Sequence, residues 1–472
     1  MSISEDVKQK QLDDLYAESG TWHVNVNAGT VFAKRMPGRY RNLKWLSMMV
    51  WAIFFLGPYL RWGDRQAVLL DIPNRQFHIF DITILPQDVW MLSLVLLFFA
   101  ILLAVVTSIA GRVFCGFFCF QTVWTDVFTW IEEKIEGNPT QRRKLKDAPM
   151  DARKLGLRGA KYFLWLLISV LTGVSFAAWF TDAYELWVAY FTLTAPMIAW
   201  VVVALFTVGT FVLAGFMREQ VCFWLCPYAR IQGVMYDRET ILPTYDFNRG
   251  EPRGKMKKGA QEAGKGDCID CNQCVAVCPT GIDIRAGQQE GCITCALCLD
   301  ACDSVMDKIS KPRGLIRYAS LDEIEGKGTV VLYKRPRVLV YFGIMTVALI
   351  GLIYGLLNLG SLELTVVHDR APLYVQMSDG WYQNRYDLKM LNKLDREVDV
   401  RVTASGIVGM ELNGADEPFT LRSGTMSSRT VFVRVHRDNL DASRIPVYFE
   451  MFNVENPDDV VRYEAAFFSP ER

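Results

Sequence analysis

The chain has 472 residues, and 51 Lys and Arg balance 51 Asp and Glu to a formal net charge of zero. This balance argues against a nucleic-acid-binding protein, which would carry an excess of basic residues. All 12 cysteines lie between Cys115 and Cys302, a distribution that excludes a secreted disulfide scaffold. None of the 4 histidines falls inside an apolar stretch, which also excludes a His-ligated haem buried in a membrane.

Residues 1–44 are polar and are predicted to form a cytoplasmic N-terminal segment. They show no cleavable signal peptide, and they end in a cluster of Lys and Arg just before the first apolar stretch. Basic residues beside a span mark its cytoplasmic end. The loop after the second apolar stretch is rich in Lys and Arg, whereas the loop between the third and fourth has none. The N-terminus and residues 218–337 are therefore expected in the cytoplasm, and the C-terminal domain in the periplasm.

Five apolar stretches without charged residues are long enough to cross a bilayer, which takes about 20 residues. The predicted spans lie near residues 45–60, 89–110, 162–180, 196–217 and 338–359. The first four belong to a membrane domain predicted over 45–239, and the fifth is a transmembrane helix within 338–360. The first stretch is the shortest, and it carries Gly57-Pro58 near its end.

Two Cys-x3-Cys motifs follow the second and fourth spans, at the predicted cytoplasmic face of the membrane. They are Cys115-Gly-Phe-Phe-Cys119 and Cys222-Phe-Trp-Leu-Cys226. On a helix, residues four apart share a face, so each motif is expected to present two sulfurs side by side. Such thiolates select Cu(I) or iron–sulfur clusters. The two motifs could form one copper site, form two, or hold another cluster.

Two other interpretations of the Cys-x3-Cys motifs stay open. Four apolar cysteines can pack as small hydrophobic side chains without any ligand. A transient redox dithiol is a further alternative, although a stable disulfide does not suit a reducing compartment.

Residues 240–266 are predicted to be a linker, and a ferredoxin-like domain follows over 267–303. Its two runs share the spacing Cys-x2-Cys-x2-Cys-x3-Cys; they consist of Cys268, Cys271, Cys274 and Cys278, then Cys292, Cys295, Cys298 and Cys302. In two-cluster bacterial ferredoxins the fourth cysteine of each run ligates the other cluster. One [4Fe-4S] cluster (cluster one) is therefore expected on Cys268, Cys271, Cys274 and Cys302. The second (cluster two) is expected on Cys292, Cys295, Cys298 and Cys278. A pair of zinc knuckles is the alternative.

A cytoplasmic connector is predicted over 304–337, and a soluble domain over 361–472 follows the fifth span. In that domain apolar and polar residues alternate, for example over 397–402, 430–435 and 445–451, and turn residues such as Asn413-Gly414 separate such runs. This pattern predicts an all-β immunoglobulin-like sandwich. The predicted fold is a multi-domain membrane protein, in which an α-helical bundle of about five spans carries an inserted two-cluster bacterial ferredoxin-like domain and a C-terminal sandwich.

The layout of spans, Cys-x3-Cys motifs, ferredoxin module and sandwich resembles the FixG/CcoG family of cbb3-type cytochrome c oxidase accessory proteins. The membrane half alone also resembles the wider NapH/NosR-like group, and the C-terminal domain favours FixG/CcoG. The resemblance implies a membrane-bound polyferredoxin of the bacterial inner (cytoplasmic) membrane. It implies a cupric reductase that converts Cu(II) to Cu(I) at the cytoplasmic face for oxidase assembly.

Carried over to this sequence, the family's copper-handling catalytic thiolates would be Cys115, Cys119, Cys222 and Cys226. The eight ferredoxin cysteines would supply the electrons. The second motif is followed by Pro227 where the first has Phe120, so the two motifs are not identical.

The implied partners are cbb3 oxidase assembly factors or copper carriers, a cytoplasmic or quinol electron donor, and membrane lipid. Nucleic acid is not among them, and a homodimer is a compatible assembly. No G-x-G-x-x-G fingerprint or Walker loop is present, so electrons must come from a partner protein or from quinol. The alternative function is a quinol-linked membrane electron-transfer component that passes electrons through the ferredoxin clusters to another redox protein. A purely structural assembly factor is disfavoured by the eight correctly spaced cysteines.

Overall fold

The computed structural model describes residues 31–63, 65–80, 82–256, 264–289, 291–329, 331–357, 360–394, 396–457 and 460–470. The predicted N-terminal segment up to residue 30, and residues 257–263 of the predicted linker, lie outside the described residues. The chain divides into two compact units. The first comprises residues 1–59, 94–178 and 183–350, and the second comprises residues 60–93, 179–182 and 351–472.

The helices are α1 (Arg39–Met48), α2 (Ala52–Leu56), α3 (Val89–Ala110), α4 (Val113–Phe117), α5 (Phe120–Glu136), α6 (Pro139–Asp147), α7 (Ala152–Ala177), α8 (Ala183–Phe191), α9 (Met197–Val212), α10 (Pro227–Val234), α11 (Phe247–Gly250), α12 (Gln273–Ala276), α13 (Leu297–Lys308), α14 (Leu321–Ile324) and α15 (Pro336–Leu357). Two π-helical turns cover Leu213–Met217 and Val221–Leu225.

The strands are β1 (Arg61–Trp62), β2 (Arg65–Gln66), β3 (Val68–Asp71), β4 (Gln76–Ile79), β5 (Ile82–Ile84), β6 (Leu242–Tyr245), β7 (Ile316–Ala319), β8 (Leu362–His368), β9 (Val375–Gln376), β10 (Trp381–Asn392), β11 (Val398–Ser405), β12 (Glu411–Asn413), β13 (Phe419–Leu421), β14 (Met426–His436), β15 (Arg444–Asn453) and β16 (Val460–Phe468).

Four helices in the described part of the chain are long and apolar enough to cross a membrane: α3, α7, α15, and α9 with its π-helical extension to Met217. They correspond to the second to fifth predicted spans. The first predicted stretch lies in the short helices α1 and α2 and in the 3-10 turns that join and follow them. The last of these turns contains Pro58, which has no backbone N–H to continue a helix.

Helix α7 begins ten residues before the predicted span, because Asp151 caps it. The Asp151 carboxylate accepts a hydrogen bond from the backbone N–H of Lys154 at 2.7 Å. Such caps satisfy one of the donors that the first turn leaves unpaired. The helix therefore starts in a basic segment, before its apolar part begins.

The ferredoxin module is larger than predicted, because part of the predicted linker folds with it. Strand β6 pairs antiparallel with β7, with Leu242 opposite Ala319 and Tyr245 opposite Ile316. Tyr245 is buried in the same apolar core as Cys268. This short sheet escaped prediction because a four-residue strand in a polar stretch gives no periodic signal.

The second unit contains the predicted β-sandwich. One sheet has the strand order β12-β14-β10-β8 with β9 paired to β10, and the other has the order β13-β11-β15-β16. The predicted alternating runs lie in β11, β14 and β15, and their inward residues, such as Val400, Val433 and Phe449, are fully buried. The sandwich prediction is confirmed.

The second unit also includes a small sheet that the sequence did not predict. Its strands β3, β4 and β5 lie within residues 60–93, which had been placed in the membrane domain. The amide of Gln76 donates to the carbonyl of Gly424 at 2.9 Å, and Lys393 forms an ion pair with Asp88 at 3.0 Å. This loop between the first two apolar stretches therefore packs with the sandwich.

Candidate metal and electron-transfer site

The eight ferredoxin cysteines line two small cavities of about 20 Å³ each. The first is lined by Cys268, Cys271, Cys274 and Cys302. The second is lined by Cys278, Cys292, Cys295 and Cys298, and Cys274 also reaches it. The structure thus groups the cysteines into the two sets that crossed ligation requires.

The two ferredoxin runs fold as structural repeats. In each run the second cysteine, Cys271 or Cys295, lies between two residues with left-handed backbone conformation. These residues are Asp270, Asn272, Thr294 and Ala296, with φ between 52° and 59°. Left-handed residues next to right-handed ones form backbone concavities that bind anions such as iron–sulfur clusters.

The thiols of both sets fit iron–sulfur ligation. Burial raises the pKa of Cys292 and of Cys302 to about 12. Cluster binding would therefore displace protons from them, because the thiolate is the ligand form. When bound, [4Fe-4S] clusters supply single-electron transfer.

The two Cys-x3-Cys motifs are also structural repeats, but not in the predicted helical form. A left-handed residue, Gly111 or Arg218, stands four residues before the first cysteine of each motif. The first cysteine lies in a short helical segment, α4 or the Val221–Leu225 turn. The second, Cys119 or Cys226, has extended backbone and precedes the first residue of α5 or α10. The prediction of one continuous helix across each motif is wrong, since the helix ends between the two cysteines.

The cysteines of the two motifs lie near one another, in a region that we call the thiol site. The thiol of Cys115 lies within electrostatic range of Cys119, Cys222 and Cys226. Cys115 is buried, and the other three are half-buried. Burial, reinforced by the neighbouring thiols, raises the pKa of Cys115 and of Cys222 to about 12, while the Arg112 guanidinium opposes the increase.

A buried hydrogen-bond chain holds Cys115 in place. Its thiol donates to Oε1 of Gln232 at 3.1 Å, and the Gln232 amide donates to the Thr107 hydroxyl at 3.1 Å. Gln232 is fully buried. Gln232 connects α10 of the second motif with the thiol of the first motif, so it ties the two repeats together.

Both motifs contact the loop that carries Cys292 and Cys295. A Cβ on Gly116 would lie 2.5 Å from the Ile293 carbonyl oxygen and 3.0 Å from the backbone of Cys295. A Cβ on Gly291 would lie 2.8 Å from the ring of Phe223. Because Gly116 and Gly291 have no side chain, the thiol site and this ferredoxin loop can pack closely together.

Beside Cys222 lies a cavity of about 50 Å³ with buried charges around it. Asp126 forms ion pairs across 2.7 to 3.4 Å with three cations: Arg35, Arg41 and Lys44. Glu132 likewise pairs with three cations: Arg142, Lys161 and Arg218. Glu133 and Glu136 add further carboxylates, which pair with Arg35 and Lys161, so the buried charges around this cavity are largely matched.

Three family models match the chain. One described as a 4Fe-4S dicluster domain matches residues 217–321, and one described as a 4Fe-4S binding domain matches residues 92–139. A third, described as the IG-like fold at the C-terminal of FixG, matches residues 352–470. Nitrogen fixation protein FixG of Rhizobium meliloti is 40% identical over 454 residues, which are 88% of this chain and 85% of that protein. The chain belongs to the FixG/CcoG family.

Other relatives agree with the FixG/CcoG assignment. Protein RdxA of Cereibacter sphaeroides is 42% identical over 80% of this chain and 83% of its own length. Ferredoxin-type protein NapH of Haemophilus influenzae is 26% identical over 57% of this chain and 88% of its own length. This member of the FixG/CcoG family is an iron–sulfur oxidoreductase with helices suited to a membrane.

Several residues of the site gave no signal in the sequence of this FixG/CcoG member. Gly116 and Phe223 each directly follow the first cysteine of a Cys-x3-Cys motif, where the motif allows any residue. Nothing in the motif itself indicated that these two positions contact the ferredoxin module. Gln232 and Asp126 are single polar residues in otherwise ordinary helical segments. Only their contacts in the fold give them a role.

Proposed function

We propose that this FixG/CcoG protein reduces Cu(II) to Cu(I) at the cytoplasmic face of the bacterial inner membrane for cbb3-type oxidase assembly. The observation that carries the proposal is the close packing of the four-thiol site against the ferredoxin loop at Gly116. A soft thiolate site next to an electron-transfer module is suited to reducing a thiophilic metal ion.

In this proposal the four motif cysteines bind copper and the eight ferredoxin cysteines hold two [4Fe-4S] clusters. Thiolates stabilise Cu(I) relative to Cu(II), which makes acceptance of an electron more favourable. Each turnover adds one electron to one Cu(II) ion, and no covalent bond of the protein breaks. A cytoplasmic protein or membrane quinol restores that electron to the ferredoxin module.

Copper binding would require the thiols to move. Among the described residues, no three His, Cys, Asp or Glu side chains converge closely enough to hold one metal ion. In the proposed step Cys115 exchanges its hydrogen bond to Gln232 for a bond to the metal. Loss of the thiol protons would accompany that step, because metal binds the thiolate.

The orientation in the membrane is part of the proposal. The basic loops favour a cytoplasmic ferredoxin module and a periplasmic sandwich. Within the described residues the sandwich carries no cysteine, so we infer a docking role for it, with an oxidase assembly factor or copper carrier as its partner.

The test is anaerobic Cu(II) reduction by dithionite-reduced protein, with Cu(I) trapped by a chromogenic chelator. The double variant Cys115→Ser/Cys222→Ser should lose copper reduction while the absorbance of the ferredoxin clusters remains. The matched control is Phe118→Leu, because Phe118 lies in the first motif but is exposed. Full activity in the double variant would contradict the assignment of the thiols.

A quinol-linked electron carrier is the second candidate. The 4Fe-4S binding domain match over 92–139 includes Cys115 and Cys119, and so supports iron–sulfur rather than copper chemistry at these thiols, as this candidate requires. In that case a quinol analogue should reduce the clusters rapidly in copper-free protein, and Cu(II) should not reoxidise them.

A further inference from the structure

The two membrane-face motifs contact the ferredoxin module at equivalent positions. Gly116 directly follows Cys115, and Phe223 directly follows Cys222. Gly116 packs on the backbone of Ile293 and Cys295, and Phe223 packs on Gly291. Both contacts thus fall on one five-residue segment, 291–295, which we call the outlet loop.

Shared neighbours reinforce the contact between the outlet loop and the thiol site. Cys115 and Cys295 lie in one small apolar cluster together with Ile293. Arg112 is within electrostatic range of Cys115, Cys222 and Cys292. The outlet loop and both motifs therefore form one packed and charged region.

The other cysteine set is centred on an apolar core. Cys268 and Cys274 lie in this core with Tyr245 and Ile316, and Cys292 and Cys298 of the cluster-two set pack against it. Among the residues the structure describes, that core includes no member of either Cys-x3-Cys motif. The contacts of the two motifs with the module therefore fall on the segment that carries Cys292 and Cys295.

We propose that the outlet loop is where the ferredoxin module delivers electrons to the thiol site, with Gly116 and Phe223 as the positioning residues that hold it there. The opposite set, Cys268, Cys271, Cys274 and Cys302, then faces the electron donor. This inference rests on the proposed copper reduction for its acceptor. One electron leaves at the outlet loop for each Cu(II) that becomes Cu(I).

The experiment compares Gly116→Val and Phe223→Ala with the control Gly159→Val. A Cβ on Gly116 would collide with backbone atoms, whereas Gly159 has open space around it. Phe223→Ala removes atoms and introduces no collision, so it still tests the contact if the Gly116→Val variant fails to fold. Iron content and cluster absorbance verify that each protein is loaded.

Two readouts separate positioning from general damage. Hydrogen–deuterium exchange at residues 291–295 should rise in both test variants and stay unchanged in the control. Reoxidation of the dithionite-reduced protein by Cu(II) should slow severalfold in both test variants, because the ferredoxin module moves away from the thiol site, and should keep its wild-type rate in the control. Reoxidation by ferricyanide, which needs no thiol site, should keep its wild-type rate.

Two outcomes would overturn the inference. One is increased exchange in the outlet loop with an unchanged Cu(II) rate, and the other is unchanged exchange in both variants. If wild-type protein is not reoxidised by Cu(II), the proposed function fails, and the exchange result still decides whether Gly116 and Phe223 hold the loop.

Discussion

Asp126, in helix α5, forms ion pairs with three cationic side chains. Burial alone would raise the pKa of Asp126, but Lys44, Arg41 and Arg35 outweigh it and hold the pKa well below its usual range. The carboxylate is only 11% exposed. It is therefore the centre of a buried ion-pair cluster whose loss would leave uncompensated charge.

Replacing Asp126 by Asn should destabilise the protein by about 3–5 kcal/mol, because Arg41 and Lys44 lose their carboxylate partner and Arg35 keeps only Glu133. The measurement is thermal unfolding of the detergent-solubilised protein, compared with Asp307→Asn. Asp307 pairs with Arg313 at the surface, where both side chains are largely exposed. The control should therefore unfold at nearly the wild-type temperature. If both substitutions lower the unfolding temperature equally, the buried cluster has no special role in stability.

The same substitution has a pH signature with a defined sign. A carboxylate with a lowered pKa adds stability above its unfolded pKa, about 3.9, and this contribution is lost as the pH falls further. The difference in the free energy of unfolding between wild type and Asp126→Asn should thus be constant near neutral pH and become smaller below about pH 4. A difference that grows in acid would have the wrong sign for this ion-pair cluster.

At the scale of elements, helix α1 is capped by a residue of the ferredoxin module. The backbone N–H groups of Tyr40 and Arg41 donate to the Asp300 carboxylate at 3.2 and 2.9 Å. Gly38 lies so close to Asp300 that a Cβ there would collide with the carboxyl group. Asp300 stands between Cys298 and Cys302, so the cap ties α1 to the helix that carries two ferredoxin cysteines.

The variant Asp300→Ala should loosen this attachment without affecting iron content. Loss of a cap costs about 0.5–2 kcal/mol, so exchange of the amides at residues 39–42 should accelerate severalfold. Asn138→Ala is the matched control, since Asn138 caps α6 within its own segment. It should accelerate exchange in α6 and leave α1 unchanged; a variant of Asp300 that loses its clusters would show that the cap is part of ferredoxin folding.

Sequence patterns predicted the elements with strong local signals and missed those that depend on contacts. The ferredoxin spacing predicted that Cys268 and Cys302 share a cluster, and the two side chains line the same cavity. The break between Cys115 and Cys119 was not predictable, since Gly-Phe-Phe between two cysteines is compatible with a helix. Strand β6 forms only by pairing with β7, more than 70 residues away, so its own residues show no pattern that predicts a strand.

At the scale of the whole molecule, the sandwich and the redox residues belong to different compact units. The first unit ends at Ile350 and contains all the cysteines, whereas residues 351–472 belong to the second. The alternating pattern predicted the sandwich itself, but it gave no sign that residues 60–93 join it. Such an association is a tertiary contact between distant segments, which periodicity does not report.

Deleting residues 365–472 should spare cluster content and copper reduction in vitro, because the first unit keeps its own core. The same deletion should lower oxidase assembly in cells, if the sandwich docks a partner. Iron analysis, the copper assay and oxidase activity in membranes measure the three effects. A truncated protein that inserts normally but lacks its clusters would make the sandwich part of the redox core.

The central claim is that two ferredoxin clusters serve a separate copper-handling thiol site. It is tested most directly by counting iron, sulfide and copper in anaerobically purified protein, with Cys115→Ser/Cys222→Ser alongside. The account predicts about eight irons per chain, for two [4Fe-4S] clusters, and copper that the double variant loses without losing iron. About twelve irons per chain, falling to about eight in the double variant, would contradict it, because the motif cysteines would then hold a third cluster.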